Sequence, residues 1–106
     1  MTQHIQNILS ELKTRLTELY GDRLERLVLY GSQARGDAQP DSDIDVLVVL
    51  KGEVNPWQEI IRCENIISDI ALRYEVHISP MFASCDELSQ ANEPLFVNVR
   101  KEGIPL

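Results

Sequence analysis

The chain predicts an α/β fold of the α+β kind, a single mixed β-sheet of three to five strands with helices packed on it, and three observations carry that expectation. Helix-period and strand-period segments alternate along all 106 residues, the pattern of helices layered on one sheet. Two β-branched runs, residues 24–30 and 44–50, flank a polar stretch with no full crossover helix, so they pair antiparallel and the sheet is mixed. An apolar share of 43% and a charged share of 25% belong to an ordinary globular protein. The length leaves room for one core, so residues 1–106 are read as a single domain.

Residues 2–20 place Ile5, Ile8, Leu9, Leu12, Leu16, Leu19 and Tyr20 at the spacing of an amphipathic helix, and Gly21 supplies its C′ stop. The stripe is narrow enough to fit either the chain's own sheet or a partner. His4 falls at the frayed helix start, as a solvated residue. Residues 24–30, LERLVLY, form a strand centred on Val28 and ended by Gly31. Residues 44–50, IDVLVVL, are almost continuously apolar, as in a central strand covered on both faces. Asn55-Pro56 then opens a helix, with Asn as N-cap and Pro in the first helical position. In it Trp57, Ile60, Ile61, Ile67, Ile70, Ala71 and Tyr74 form a stripe expected to face the core.

Residues 75–82 alternate Val76 and Ile78 with Glu75, His77 and Ser79, the period of a strand with one dry and one wet face. Pro80 puts that strand at an edge or near its end. Ser84-Cys85-Asp86-Glu87 has capping-box spacing and opens a last helix through Leu88, Leu95, Phe96 and Val99, which Pro94 kinks or splits. Gly103 ends it, and residues 104–106 add a short edge strand.

A net charge of −7, spread along the chain, opposes a polyanion, so no direct nucleic-acid partner is expected. A nucleoside triphosphate is a different case, because cations held by carboxylates reverse the local sign. Cys63 and Cys85 match neither a zinc spacing nor a disulfide framework and read as reduced and structural. No run of about 18 apolar residues occurs and the first ten residues lack a signal-peptide pattern, so no membrane association and a cytoplasmic location are expected.

The chemistry-bearing stretch is residues 27–50, LVLYGSQARGDAQPDSDIDVLVVL. Asp43 and Asp45 lie two apart in a strand-forming run, so their carboxylates leave one face about 6.6 Å apart along the backbone, a separation suited to hard cations. Asp45, between Ile44 and Val46, incurs a desolvation cost unless a positive charge offsets it. Asp37 and Asp41 read as turn residues. At the other end, Gly31 lets the backbone approach a ligand, and Ser32, as N-cap of a short helix over residues 32–36, offers a phosphate a positive dipole end. Arg35 either neutralises that phosphate or pairs with Asp37.

Gly31-Ser32, ten residues, then Asp43-Ile44-Asp45 resembles the signature of the minimal nucleotidyltransferases of the DNA polymerase β superfamily, and the surrounding element order is similar to theirs. The resemblance implies a polymerase-β-like palm that binds ATP with Mg2+, two ions in the usual scheme. Gly31, Ser32 and nearby N–H groups would hold the phosphates and Asp43 and Asp45 the metal, while AMP passes to a hydroxyl and pyrophosphate leaves. The family's third carboxylate would stand at His77. Three readings of that departure stay open: a structural histidine, a proton acceptor or metal-proximal group, or Glu75 taking the acid's place. His77 puts turnover in doubt more than nucleotide binding.

Small bacterial members that resemble this chain act as antitoxins in toxin-antitoxin systems beside HEPN ribonuclease toxins, some by AMPylation of a toxin tyrosine. The resemblance thus implies a protein adenylyltransferase whose acceptor is a HEPN-type toxin, with a catalytically weakened antitoxin that acts by binding alone as the alternative. Homo- and hetero-oligomers are both open.

Overall fold

The structure, a computed structural model, describes residues 1–106. In chain order it contains α1 (Gln3–Tyr20), a 3-10 turn (Gly21–Arg23), β1 (Leu24–Tyr30), α2 (Ser32–Arg35), β2 (Ile44–Leu50), α3 (Pro56–Tyr74), β3 (Ile78–Ser84), α4 (Cys85–Gln90), α5 (Pro94–Glu102) and β4 (Ile104–Pro105). The strands make one four-stranded sheet in the order β3-β2-β1-β4. β1 runs antiparallel to β2 and β4, and β2 parallel to β3. The expected mixed sheet is therefore present, with α3 as the connection that a parallel pair requires.

Side chains alternate across a strand, and here both sets are buried. Leu27, Leu29, Ile44, Val46, Val48 and Leu50 enter the core beneath α1 and α3. Val28, Leu47 and Val49 enter a second core beneath α4 and α5. β2 is thus the central, doubly covered strand its composition predicted, and each fully buried Val, Leu or Ile stabilises the fold by about 1.5–3 kcal/mol. α1 turns Ile5, Ile8, Leu9, Leu12, Leu16 and Tyr20 inward, so its stripe serves the chain's own sheet. Thr2 caps this helix by accepting from the Ile5 N–H. His4 is exposed as expected, with its ring edge-on to Tyr74 at 5.9 Å.

Three expectations are corrected. Trp57, Ile60 and Ile61 are exposed rather than core. The face of α3 that meets the sheet is set by Cys63, Ile66, Ile67, Ile70 and Tyr74, and it takes in the acid Glu59. That acid is tolerated because Tyr20 Oη donates to its Oε1 at 2.8 Å while Arg23 and Arg62 donate at 3.1 and 3.0 Å.

The third strand starts at Ile78 rather than at residue 75, because α3 runs on to Tyr74 and Glu75 ends it in a left-handed conformation, φ 55° and ψ 49°. The N-cap of α2 is Gly31, with Ser32 the first helical residue. Of the two outcomes expected at Pro94, a kink or a split, the structure shows the split: α4 ends at Gln90 and Pro94 starts α5, where its missing N–H costs no hydrogen bond. The predicted Ser84 capping box is present in full.

Candidate functional site

β1 and β2 run side by side with Tyr30 opposite Asp45, and the chain leaves β1 through Gly31 into α2. Gly31 adopts φ 73° and ψ −155°, a region open to glycine and strained for other residues. Space adds a second demand, because a Cβ on Gly31 would collide with Oδ2 of Asp45 and stand 3.3 Å from its Cγ. The glycine and the carboxylate are in contact, which makes the turn and the strand one site.

α2 is a single turn in which the N–H groups of Ala34 and Arg35 both reach Gly31 O at 3.1 Å. The N–H groups ahead of them, on Ser32 and Gln33, belong to the part of a helix that has no intrahelical acceptor. Gly36, at φ 84°, closes the turn by donating to Ser32 O at 3.0 Å. The Ser42 hydroxyl then accepts from Gln39 N–H at 2.8 Å, which returns the loop toward β2. Asp41 stays an exposed loop residue.

Asp45 shares its face of β2 with Leu47 and Val49, the face covered lower down by α4 and α5. Asp43, two residues earlier, leaves on the same side. Burial pushes the Asp45 carboxyl above the usual carboxylate range, the charge of Asp43 raises it further, and Arg35 pulls the other way. Burial, with Asp45 as the second cause, also pushes the neighbouring Tyr30 phenol up to about 12. Two carboxylates facing one way, one of them partly desolvated, form a negative patch that a cation would relieve.

The oxygen-only donor pair suits a hard ion such as Mg2+ and not a soft one. No three Asp, Glu, His or Cys side chains converge into a cage. A two-carboxylate site fits Mg2+ nonetheless, because this ion keeps waters and takes its remaining ligands from substrate phosphates.

The other candidates are placed differently. Arg35 is exposed and donates to Asp37 Oδ2 at 3.2 Å and to Glu102 Oε2 at 3.4 Å, which ties α2 to α5. Those bonds raise its pKa. His77 precedes β3, with its carbonyl held by the Ile44 N–H at 2.9 Å. Since Ile44 pairs with Ile78 and Asp45 with Ser79 in parallel register, His77 stands beside Asp43. Its side chain is exposed. Glu75 is the exposed cap of α3 and forms no ligand cluster with Asp43 and Asp45. Tyr30 and Ser79 flank Asp45 on the two neighbouring strands and were missed by the sequence reading. Only cross-strand register identifies them, and a strand's letters do not encode its partner's.

Residues 9–104 match the family model described as a nucleotidyltransferase domain. A candidate protein adenylyltransferase of Methanocaldococcus jannaschii is 38% identical over 77 residues, 73% of this chain and 77% of that protein. Among solved structures, a toxin-antitoxin crystal structure with AMP-PNP superimposes with a TM-score of 0.62 at 19% identity, over 89% of this chain and 68% of that one. A candidate minimal nucleotidyltransferase superimposes with a TM-score of 0.59 at 22% identity, over 95% of this chain and 94% of that one. At those identities the two structures show a common fold.

Proposed function

Since this chain belongs to the nucleotidyltransferase domain family, we propose that it transfers AMP from ATP to a tyrosine hydroxyl of a partner protein, a HEPN-type ribonuclease toxin that it thereby silences. One observation carries the reading: Asp43 and the partly buried Asp45 share a face of the central strand, with Asp45 against the Gly31 turn that opens α2. The name of the archaeal relative supports a protein acceptor, and the toxin-antitoxin complex with AMP-PNP supports a toxin partner and a nucleotide.

In this reading Asp43 and Asp45 would hold Mg2+, which would supply neutralisation of the phosphates and a lowered pKa for the attacking hydroxyl. The N–H groups at the start of α2 and the Ser32 hydroxyl orient the triphosphate, while Gly31 keeps the backbone low enough for it to approach. Arg35, shared between Asp37 and Glu102, lies near enough to Asp45 to act on its charge and adds a positive charge at the phosphates' edge. His77, beside Asp43, accepts the proton released by the tyrosine hydroxyl as its oxygen attacks the α-phosphorus and pyrophosphate departs.

The test is intact mass spectrometry of the partner after incubation with this chain, ATP and Mg2+. A gain of one or more AMP units is expected, absent with Asp43→Asn or Asp45→Asn. His77→Asp is expected to keep or raise the transfer, since a carboxylate serves the same position. A partner that stays unmodified in a stable complex would replace transfer by masking.

A further inference from the structure

The outer face of α3 is built as a contact surface. Positions 57, 61, 65, 68 and 72 recur at helical spacing and form one strip about 22 Å long. They hold Trp57, Ile61, Asn65, Ser68 and Leu72, all exposed, with Ile60 at the margin. Trp57 is 70%, Ile61 58% and Leu72 79% exposed. Glu64 is the one charged side chain on this strip, in a chain that is 25% charged with a net charge of −7. Apolar surface of this size on an outer helix face marks an interaction site.

We propose that this strip is the interface between two copies of the chain, laid antiparallel along α3 about a two-fold axis near Glu64 and Asn65. Four observations commit it to a second copy. First, α3 covers the face of the sheet opposite the one from which Asp45 emerges. A protein docked there does not reach the carboxylates, so the strip is no seat for an acceptor. Second, reversing the strip about its midpoint puts the two largest exposed side chains, Trp57 and Leu72 of the second copy, against each other and Ile61 opposite the small Ser68 of the second copy, so the patch can meet itself as an isologous interface does.

Third, Arg62 and Asp69 share one flank of the strip, and the same reversal brings Arg62 to within about 3 Å, along the helix axis, of Asp69 of the second copy. Arg62, its side chain 51% exposed, uses its Nε on Glu59 and leaves the other guanidinium N–H groups for that contact, where it would join Arg15 and Arg73 on Asp69. Fourth, the exposed apolar side chains amount to roughly 500 Å2 per chain, so a pair buries on the order of 1,000 Å2, the lower range of specific interfaces. The association is therefore reversible, and two chains of the same net sign meet along a mainly apolar face. The strip holds one unfavourable feature, Glu64 facing Glu64 of the second copy across the axis.

Sedimentation velocity over a dilution series from roughly 1 μM to 1 mM tests the pairing. The mass is expected to rise from one chain to two, with the emission of Trp57, the sole tryptophan, moving to shorter wavelength in step. Ile61→Arg, and independently Leu72→Lys at the strip's other end, keep the far-ultraviolet circular dichroism of the wild type and stay monomeric. Glu64→Gln tightens the pair by about two- to fivefold, the size of an exposed charge effect. A chain that stays monomeric throughout, a two-chain species indifferent to both strip variants, or a weaker pair in Glu64→Gln overturns the proposal.

Discussion

Asp45 concentrates the site's physics in one residue. Burial and the charge of Asp43 hold its folded-state pKa above that of the unfolded chain. Its neutral form is therefore favoured by folding, and that contribution is present at low pH and is lost as pH rises through the folded pKa. Without divalent cations, Asp45→Asn is expected to raise the urea midpoint at about pH 7 and to match the wild type below about pH 3, where both side chains are neutral. Adding Mg2+ with ATP should reverse the order at neutral pH, since only the wild type gains a bound ion. Gly31→Ala combines a positive φ with a collision against Asp45. A destabilisation of about 1–3 kcal/mol by denaturant titration is expected, together with loss of AMP transfer, because relief of the clash displaces the carboxylate.

Between elements, the decisive joint lies where α1, the 3-10 turn and the first turns of α3 meet. Tyr20 Oη lies 2.8 Å from Glu59 Oε1 and 3.1 Å from Cys63 Sγ, with Arg23 closing over the acid and reaching Glu53 O at 3.2 Å. Burial pushes the Glu59 carboxyl up, and the bonds from Tyr20, Arg23 and Arg62 outweigh it, leaving its pKa lowered. Stability from this group is present above the unfolded pKa and is lost as pH falls through the folded one. Tyr20→Phe removes one of the donors, so it is expected to cost about 1–3 kcal/mol at neutral pH. Its acid unfolding should begin at higher pH than that of the wild type, as followed by Trp57 fluorescence. At the far end of the same helix pair, Glu11, Arg15, Asp69 and Arg73 form an exposed ionic network. Such pairs contribute little each, so the shared apolar core and the buried joint, not the surface network, hold α1 to α3.

Across the whole molecule, the sheet separates two tasks. One face carries the carboxylates at the open end of β2, and the other is closed by α1 and α3, whose outer strip is free for a second copy. In the proposed transfer, the net charge of −7 would suit an acceptor protein that carries positive charge, because complementary fields speed encounter. No helix is long and apolar enough to cross a membrane.

The letters of the chain determined a large part of this protein. The spans of β1 and β2, the Asn55-Pro56 start of α3, the Ser84 capping box and the Gly31-Ser32 and Asp43-Ile44-Asp45 spacing were legible because each depends on neighbours a few residues away. Tertiary structure alone decided the rest. α3 offers two apolar faces, and only its seat on the sheet, with Tyr20 and Arg23 waiting for Glu59, selected the one that buries an acid and leaves Trp57 outside. β3 begins three residues later than its alternation implies, because Tyr74 stays helical against the core and Glu75 must turn the chain. Register put Tyr30 and Ser79 beside Asp45. Periodicity is a local property of a chain, whereas phase, register and burial depend on surfaces that meet only when distant segments pack.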